Sequence, residues 1–147
     1  MNSLTLIDEL LTLEVWSLPT MGDPGQTWKL KRKQPGRPFT LMSYRRTREE
    51  AVRTRVRPDN EALQDLMLDL DRLRVPAFRC RLLAEDAGGG GVEVVSEGGS
   101  TKLTWHGFPP ASWAALLNWH SRAFNVFASL KERSETLSTP ASEASEA

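Results

Sequence analysis

Between Lys29 and Arg57 the chain carries eleven Lys or Arg residues against two carboxylates, Glu49 and Glu50. Guanidinium and ammonium groups at that density suit one chemistry above others, charge-assisted hydrogen bonding to phosphate or carboxylate oxygens. Their spacing sharpens the point. Lys29, Lys31 and Lys33 recur at every second residue, as do Arg53, Arg55 and Arg57, so in extended chain each trio lies along one face of its strand. Tyr44 and Arg46 occupy the phase opposite Phe39 in the intervening run, which sets a ring for base stacking and a further cation beside the lysines.

Like charges facing one another across a sheet repel by a few tenths of a kcal/mol per pair, so an aligned basic face needs an answer. It can come from within. The whole chain has nineteen basic and nineteen acidic residues, so the part outside 29–57 holds eight basic and seventeen acidic ones, a charge of minus nine against the segment's plus nine. Glu14, the aspartates that follow residue 59, or Glu135, Glu143 and Glu146 can screen the cations at little energetic gain per pair. It can also come from outside, and a polyanion, DNA or RNA first, is the expected partner of a sequence-tolerant binding surface formed by 29–57. The alternative is a protein partner, as for an adaptor or immunity-type inhibitor that docks by complementary charge. Trp113, Trp119 and Arg122, of types enriched at interface centres, mark the C-terminal helix as the place for that contact or for self-association into a homo-oligomer.

Other chemistries find less to work with. Gly88 to Gly91 leads into a strand pattern with no Gly-Lys-Ser/Thr after it, so it reads as a linker loop and not as a phosphate cradle. Gly98 to Lys102 reads as a hairpin turn. Cys80, His106 and His120 fall on separate elements, so neither a metal nor a cofactor is expected. The chain has no Gly-x-Ser-x-Gly or His-Glu-x-x-His sequence, and no catalytic residue is assigned; an enzyme whose acid and base come from distant positions stands as the third reading. Asp65, Asp69, Asp71 and Arg72 read as the wet side of a helix.

These residues need elements to position them. Leu63, Leu66, Met67, Leu70 and Leu73 recur at helical spacing after Pro58, with Asp59 or Asn60 as cap, and Pro76 ends the run. A short helix is expected over 3–13, with extended chain at 14–18. Alternating runs at 27–33 and 39–46 form a hairpin. A third strand over 52–57 is favoured by its β-branched residues over a helix built on Glu49 and Glu50. Further strands follow at Phe78 to Leu82, then at 92–97 and 101–106 about the Gly98-Gly99 turn. Beyond Pro109-Pro110 a long helix capped by Ser112 runs to about Arg133, apolar over more than half its circumference, so the sheet and one other element must clasp it. The fold expected is α+β, a mainly antiparallel sheet of two hairpin-bearing halves packed by the middle helix and the long C-terminal helix. Residues 1–133 form the domain, and the Ser/Ala/Glu-rich 134–147 a disordered acidic tail. Fourteen of the nineteen basic residues are Arg and isoleucine occurs once, a bias of GC-rich bacterial genes. A single cysteine and an N-terminus lacking a basic leader point to the cytoplasm, and no run reaches the roughly eighteen apolar residues of a membrane span.

Overall fold

The computed structural model describes residues 5–18, 25–45, 48–73, 89–106 and 111–146. A short turn of helix, α1 (Leu6–Glu9), leads directly into β1 (Leu10–Ser17). Then follow β2 (Gln26–Lys31), β3 (Phe39–Arg45), β4 (Arg48–Val56), α2 (Glu61–Arg72), β5 (Gly89–Ser96), β6 (Gly99–His106), a 3-10 turn at Ala111–Trp113 and α3 (Ala114–Glu146). The six strands form one sheet in the order β4-β3-β2-β1-β5-β6, every pairing antiparallel. This is the α+β arrangement of two hairpin-bearing halves, joined through β1 at the centre.

Strand period divides the sheet into two unlike faces. Leu13 and Val15 of β1, Trp28 and Leu30 of β2, Phe39 and Leu41 of β3, Val56 of β4, Val92 of β5 and Trp105 of β6 are buried on one face. Across it pack Leu63, Leu66 and Met67 of α2 and Leu116, Trp119, Ala123 and Phe127 of α3, forming a single core. The second clasp that α3 requires is α2: the Trp119 indole N–H donates to Leu66 O at 2.8 Å, while Phe127 meets Trp28 with ring centroids 6.1 Å apart. Asn60 caps α2 by accepting the Leu63 amide at 3.0 Å, as its place before the apolar periodicity suggests. No described element covers the other face of the sheet.

Three local differences from the sequence reading have physical causes. Strand β1 begins at Leu10, not Glu14, and α1 is a single turn whose start is set by Thr5; the Asp8 carboxylate accepts from the Thr5 amide at 3.0 Å and hydroxyl at 2.8 Å. Those two bonds hold the Asp8 pKa below its usual value. Helix α3 does not stop near Arg133 but continues to Glu146: the packed turns up to Leu130 have already met the cost of nucleation, so each further residue adds a bond without a new nucleus, although the Ser, Thr and Pro140 of this stretch are poor helix formers. Gly89, Gly90 and Gly91 are not linker but the first residues of β5. A Cβ on Gly91 would collide with the Trp16 indole on the uncovered face, and one on Gly90 would meet the Trp16 carbonyl oxygen and the His120 ring on the other. The strand expected at Phe78 to Leu82, with Cys80, lies outside the described residues.

Arg32 continues the phase of Trp28 and Leu30 just past β2, so its side chain enters the interior and is 8% exposed. Its Nε donates to Leu10 O at 2.8 Å, Nη2 to Ile7 O at 2.6 Å and Asp8 O at 3.3 Å, and Nη1 to Arg37 O at 3.2 Å. The guanidinium lies 4.2 Å from the centroid of the Phe39 ring. Burial lowers its pKa and the Asp8 carboxylate acts the other way. Carbonyls at the end of a helical turn lack intrahelical donors, and one planar fork supplies them. Replacing Arg32 with Met is expected to leave these oxygens unpaired and to reduce stability by about 2–4 kcal/mol. Urea denaturation checks this, and Arg32→Lys, with a point charge that reaches fewer acceptors, should lose less.

His120 of α3 locks the helix onto β1 and β5, its Nε2 lying 3.0 Å from Trp16 O and 3.2 Å from Gly91 O. Two carbonyls can only accept, so Nε2 bears the hydrogen. The ring sits between Trp105 and Phe124, each at a centroid distance of 4.9 Å. Burial pushes the His120 pKa below the usual 6.5, against the opposing pull of the two carbonyls. The unfolded chain therefore takes up this proton first, so stability is fully present above about pH 6.5 and declines as the pH falls below it. Denaturation midpoints at pH 8, 6.5 and 5 should show this decline, and His120→Gln should flatten it, while the stability that Asp8 adds is present throughout this range and is lost only as the pH falls below its usual value of 3.8.

Candidate anion-binding face of the sheet

The uncovered face carries three cross-strand rows that can be read from the strand register. The first is Thr12, Lys31, Thr40 and Arg55 on β1, β2, β3 and β4. The second runs Lys102, Glu93, Glu14, Lys29, Met42 and Arg53 from β6 to β4. The third contains Trp16, Thr27 and Tyr44. The structure thus brings together Lys29, Lys31, Arg53, Arg55 and Tyr44 from the residues the sequence singled out. Lys31, Arg53 and Arg55 are exposed, whereas Lys29 and Tyr44 are half-buried.

Lys29 and Lys31 do not directly face Arg53 and Arg55. Strand β3 stands between the lysines of β2 and the arginines of β4, and presents Thr40 and Met42 to them. Two strand spacings separate each Lys from its Arg, about 9.5 Å between their backbones. This relieves repulsion and leaves a gap that an anion can bridge. The internal answer is partial: Glu14 lies beside Lys29, and Glu93 stands between Glu14 and Lys102. Among the described residues the ion pairs given by the geometry are Arg57–Asp59 and Arg122–Asp69, so none of the six cations Lys29, Lys31, Lys33, Arg37, Arg53 and Arg55 is held by a described carboxylate.

At one end of this face lies a hollow of about 480 Å³. Its floor is the first row, Thr12, Lys31, Thr40 and Arg55, and its wall is the β2–β3 loop with Lys33, Gln34, Arg37 and Pro38. Lys33 has left the strand but still converges with Lys31. Arg32 lies beneath, and its bond to Arg37 O fixes the wall, which turns at Gly36 with φ 84°. Thr12, Thr40 and Arg37 were not singled out from sequence. The threonines follow the same alternation as Lys31 and Arg55, but only the register places them in one row.

Toward the other end, Trp16 packs over Gly91, with the Lys102 ammonium 5.5 Å from its ring centroid. Trp16 is a second aromatic on the face that sequence reasoning did not assign, although its phase opposite Leu13 and Val15 contains the signal. The Tyr44 hydroxyl lies 3.5 Å from Met42 Sδ.

The remaining candidates separate from this face. Arg57 lies beyond β4 and pairs with Asp59 at 3.3 Å. Arg46 lies outside the described residues. Trp113 and Trp119 are interior, at 2% and 3% exposure, because the same apolar faces that resemble an interface close the core against β6 and α2. Arg122 is half-exposed and bound to Asp69 across the groove between α2 and α3, where Leu68 is also exposed. No three His, Cys, Asp or Glu side chains among the described residues come together as a metal site, and no described helix is long and apolar enough to cross a membrane.

No protein-family model matches the chain, and no curated protein matches it in sequence. The residues and their register are therefore the basis for function.

The interior place of Trp119 has a direct test. Trp119→Phe retains most of the ring but removes the donor to Leu66 O, so stability should fall by about 1–2 kcal/mol in chemical denaturation. If this side chain instead anchored an interface, the change would appear in oligomeric state and leave monomer stability unaltered.

Proposed function

We propose that this chain is a non-catalytic binding module that holds single-stranded nucleic acid on the uncovered face of its sheet, with little dependence on base sequence. The observation that carries the reading is the alignment of Lys29, Lys31, Arg53 and Arg55 on that face, free of described ion pairs and beside Trp16 and Tyr44. Phosphates supply the charge that four such side chains attract, and unstacked bases supply planes for the two rings. A duplex keeps its bases stacked inside and offers those rings nothing. Glu14 and Glu93 on β1 and β5 repel a polyanion, confining the backbone to β2, β3 and β4. The reading through Trp113 and Trp119 has less support, since both side chains are withdrawn into the core.

Polarisation of a labelled, mixed-sequence single-stranded oligonucleotide should show binding that weakens steeply between 50 and 200 mM salt. Replacing Arg53 and Arg55 together with Ala should lower the slope of log affinity against log salt by about 1.4, two single-strand phosphate contacts at roughly 0.7 each. Affinity indifferent to salt, or no binding at low salt, would overturn the proposal.

A further inference from the structure

Resting on that reading, we infer that the hollow under the β2–β3 loop is a subsite for a terminal phosphate monoester, so the module grips a phosphorylated strand end more tightly than the strand's interior. Three features of the pocket separate an end from a passing backbone. Its charge is the first. Lys31, Lys33, Arg37 and Arg55 line one cavity, with the cationic Arg32 beneath, whereas the second row sets only Lys29 and Arg53 on β2 and β4, with the Glu14 carboxylate beside Lys29. An internal phosphodiester has a single negative charge to offer such a cluster. A terminal monoester approaches two at neutral pH and has an additional unesterified oxygen.

Its shape is the second. The first row lies on an open sheet surface, but the loop of Lys33, Gln34, Arg37 and Pro38 rises at its end. A strand laid along the face meets that loop as a wall. The wall is firm, because the buried Arg32 guanidinium holds Arg37 O at 3.2 Å from inside the core and the Arg37 amide bonds Gln34 O at 3.4 Å.

The neutral donors are the third. Thr12 and Thr40 flank Lys31 in register on the floor, and Gln34 stands on the wall. Hydroxyl and amide groups contribute short directional bonds to phosphate oxygens that lysines alone do not orient. Trp16 and Tyr44 lie four residues along their strands from Thr12 and Thr40, about 13 Å away. A phosphate in the pocket thus leaves the following bases within reach of the rings.

The test uses the full chain and one short oligonucleotide sequence in three forms, with a 5′-phosphate, with a 3′-phosphate and with hydroxyls at both ends. Binding should be about tenfold or more tighter for one phosphorylated form, and which of the two identifies the strand polarity. That preference should shrink as the pH falls from 7.5 to 5.5, where the monoester loses its second charge. Inorganic phosphate should displace the phosphorylated form more readily than the hydroxyl form. In K33A/R37A the preference should fall to within about twofold. Both side chains are exposed and the Arg37 carbonyl is retained, so an unchanged melting temperature confirms that the variant is folded. Equal affinity for all three forms would overturn the terminal subsite while leaving strand binding intact. Binding of none would overturn the nucleic-acid reading beneath it. A preference that survives K33A/R37A would locate the phosphate elsewhere and overturn the assignment of this pocket.

Discussion

A guanidinium inside a protein must have its charge and its donors matched by oxygen dipoles, and Arg32 meets that demand with carbonyls from Ile7, Asp8, Leu10 and Arg37. These acceptors come from the end of α1, the first residue of β1 and the β2–β3 loop. One buried side chain therefore ties the N-terminal turn to the central strand and holds the loop at a defined height. Its stacking on Phe39 extends the same junction into β3. Because the loop is also the wall of the basic hollow, an interaction belonging to the core shapes the surface proposed to bind phosphate.

The other determinant is the contrast between the two faces of the sheet. One is sealed by α2 and α3, with Trp119 and His120 forming polar locks to Leu66 O and to the Trp16 and Gly91 carbonyls. The opposite face keeps its polar residues in contact with water. Gly90 and Gly91 serve both sides at once: the first admits His120 from the helical layer, and the second admits the Trp16 indole on the open one. A side chain at Gly90 would push α3 from the sheet and one at Gly91 would displace the Trp16 indole, so these glycines reflect close packing.

Electrostatically the molecule is neutral only in sum. The basic strands β2 and β4 are separated by neutral positions of β3, while Glu14 and Glu93 lie at the centre of the sheet. Screening at physiological salt acts over about 8 Å, close to two strand spacings, so acidic residues elsewhere in the chain do little to cancel this local field. Where opposite charges do meet, at Arg57–Asp59 and Arg122–Asp69, the cations cease to be available to a ligand.

Hydrophobic period, caps and turns were enough to determine the α+β class, the Leu-rich middle helix, the hairpins, and that Lys29 and Lys31 share one face of their strand as Arg53 and Arg55 share one face of theirs, because these depend on residues near one another in the chain. The same local logic separates Arg32 from its neighbouring lysines by phase, and it applies equally to Trp16. It did not distinguish a tryptophan at an interface from one in a core, since Trp113 and Trp119 look alike in sequence in either place; α2 and β6 had to be positioned first. Nor could it show that Gly89, Gly90 and Gly91 are themselves part of a strand, because the reason lies in Trp16 and His120, far away in sequence. Tertiary structure alone decided that Thr12, Lys31, Thr40 and Arg55 share one row, that β3 parts the like charges, and that Arg32 raises a wall beside them. Those relations arise from register between strands, and register is set by the packing of the whole sheet against its helices.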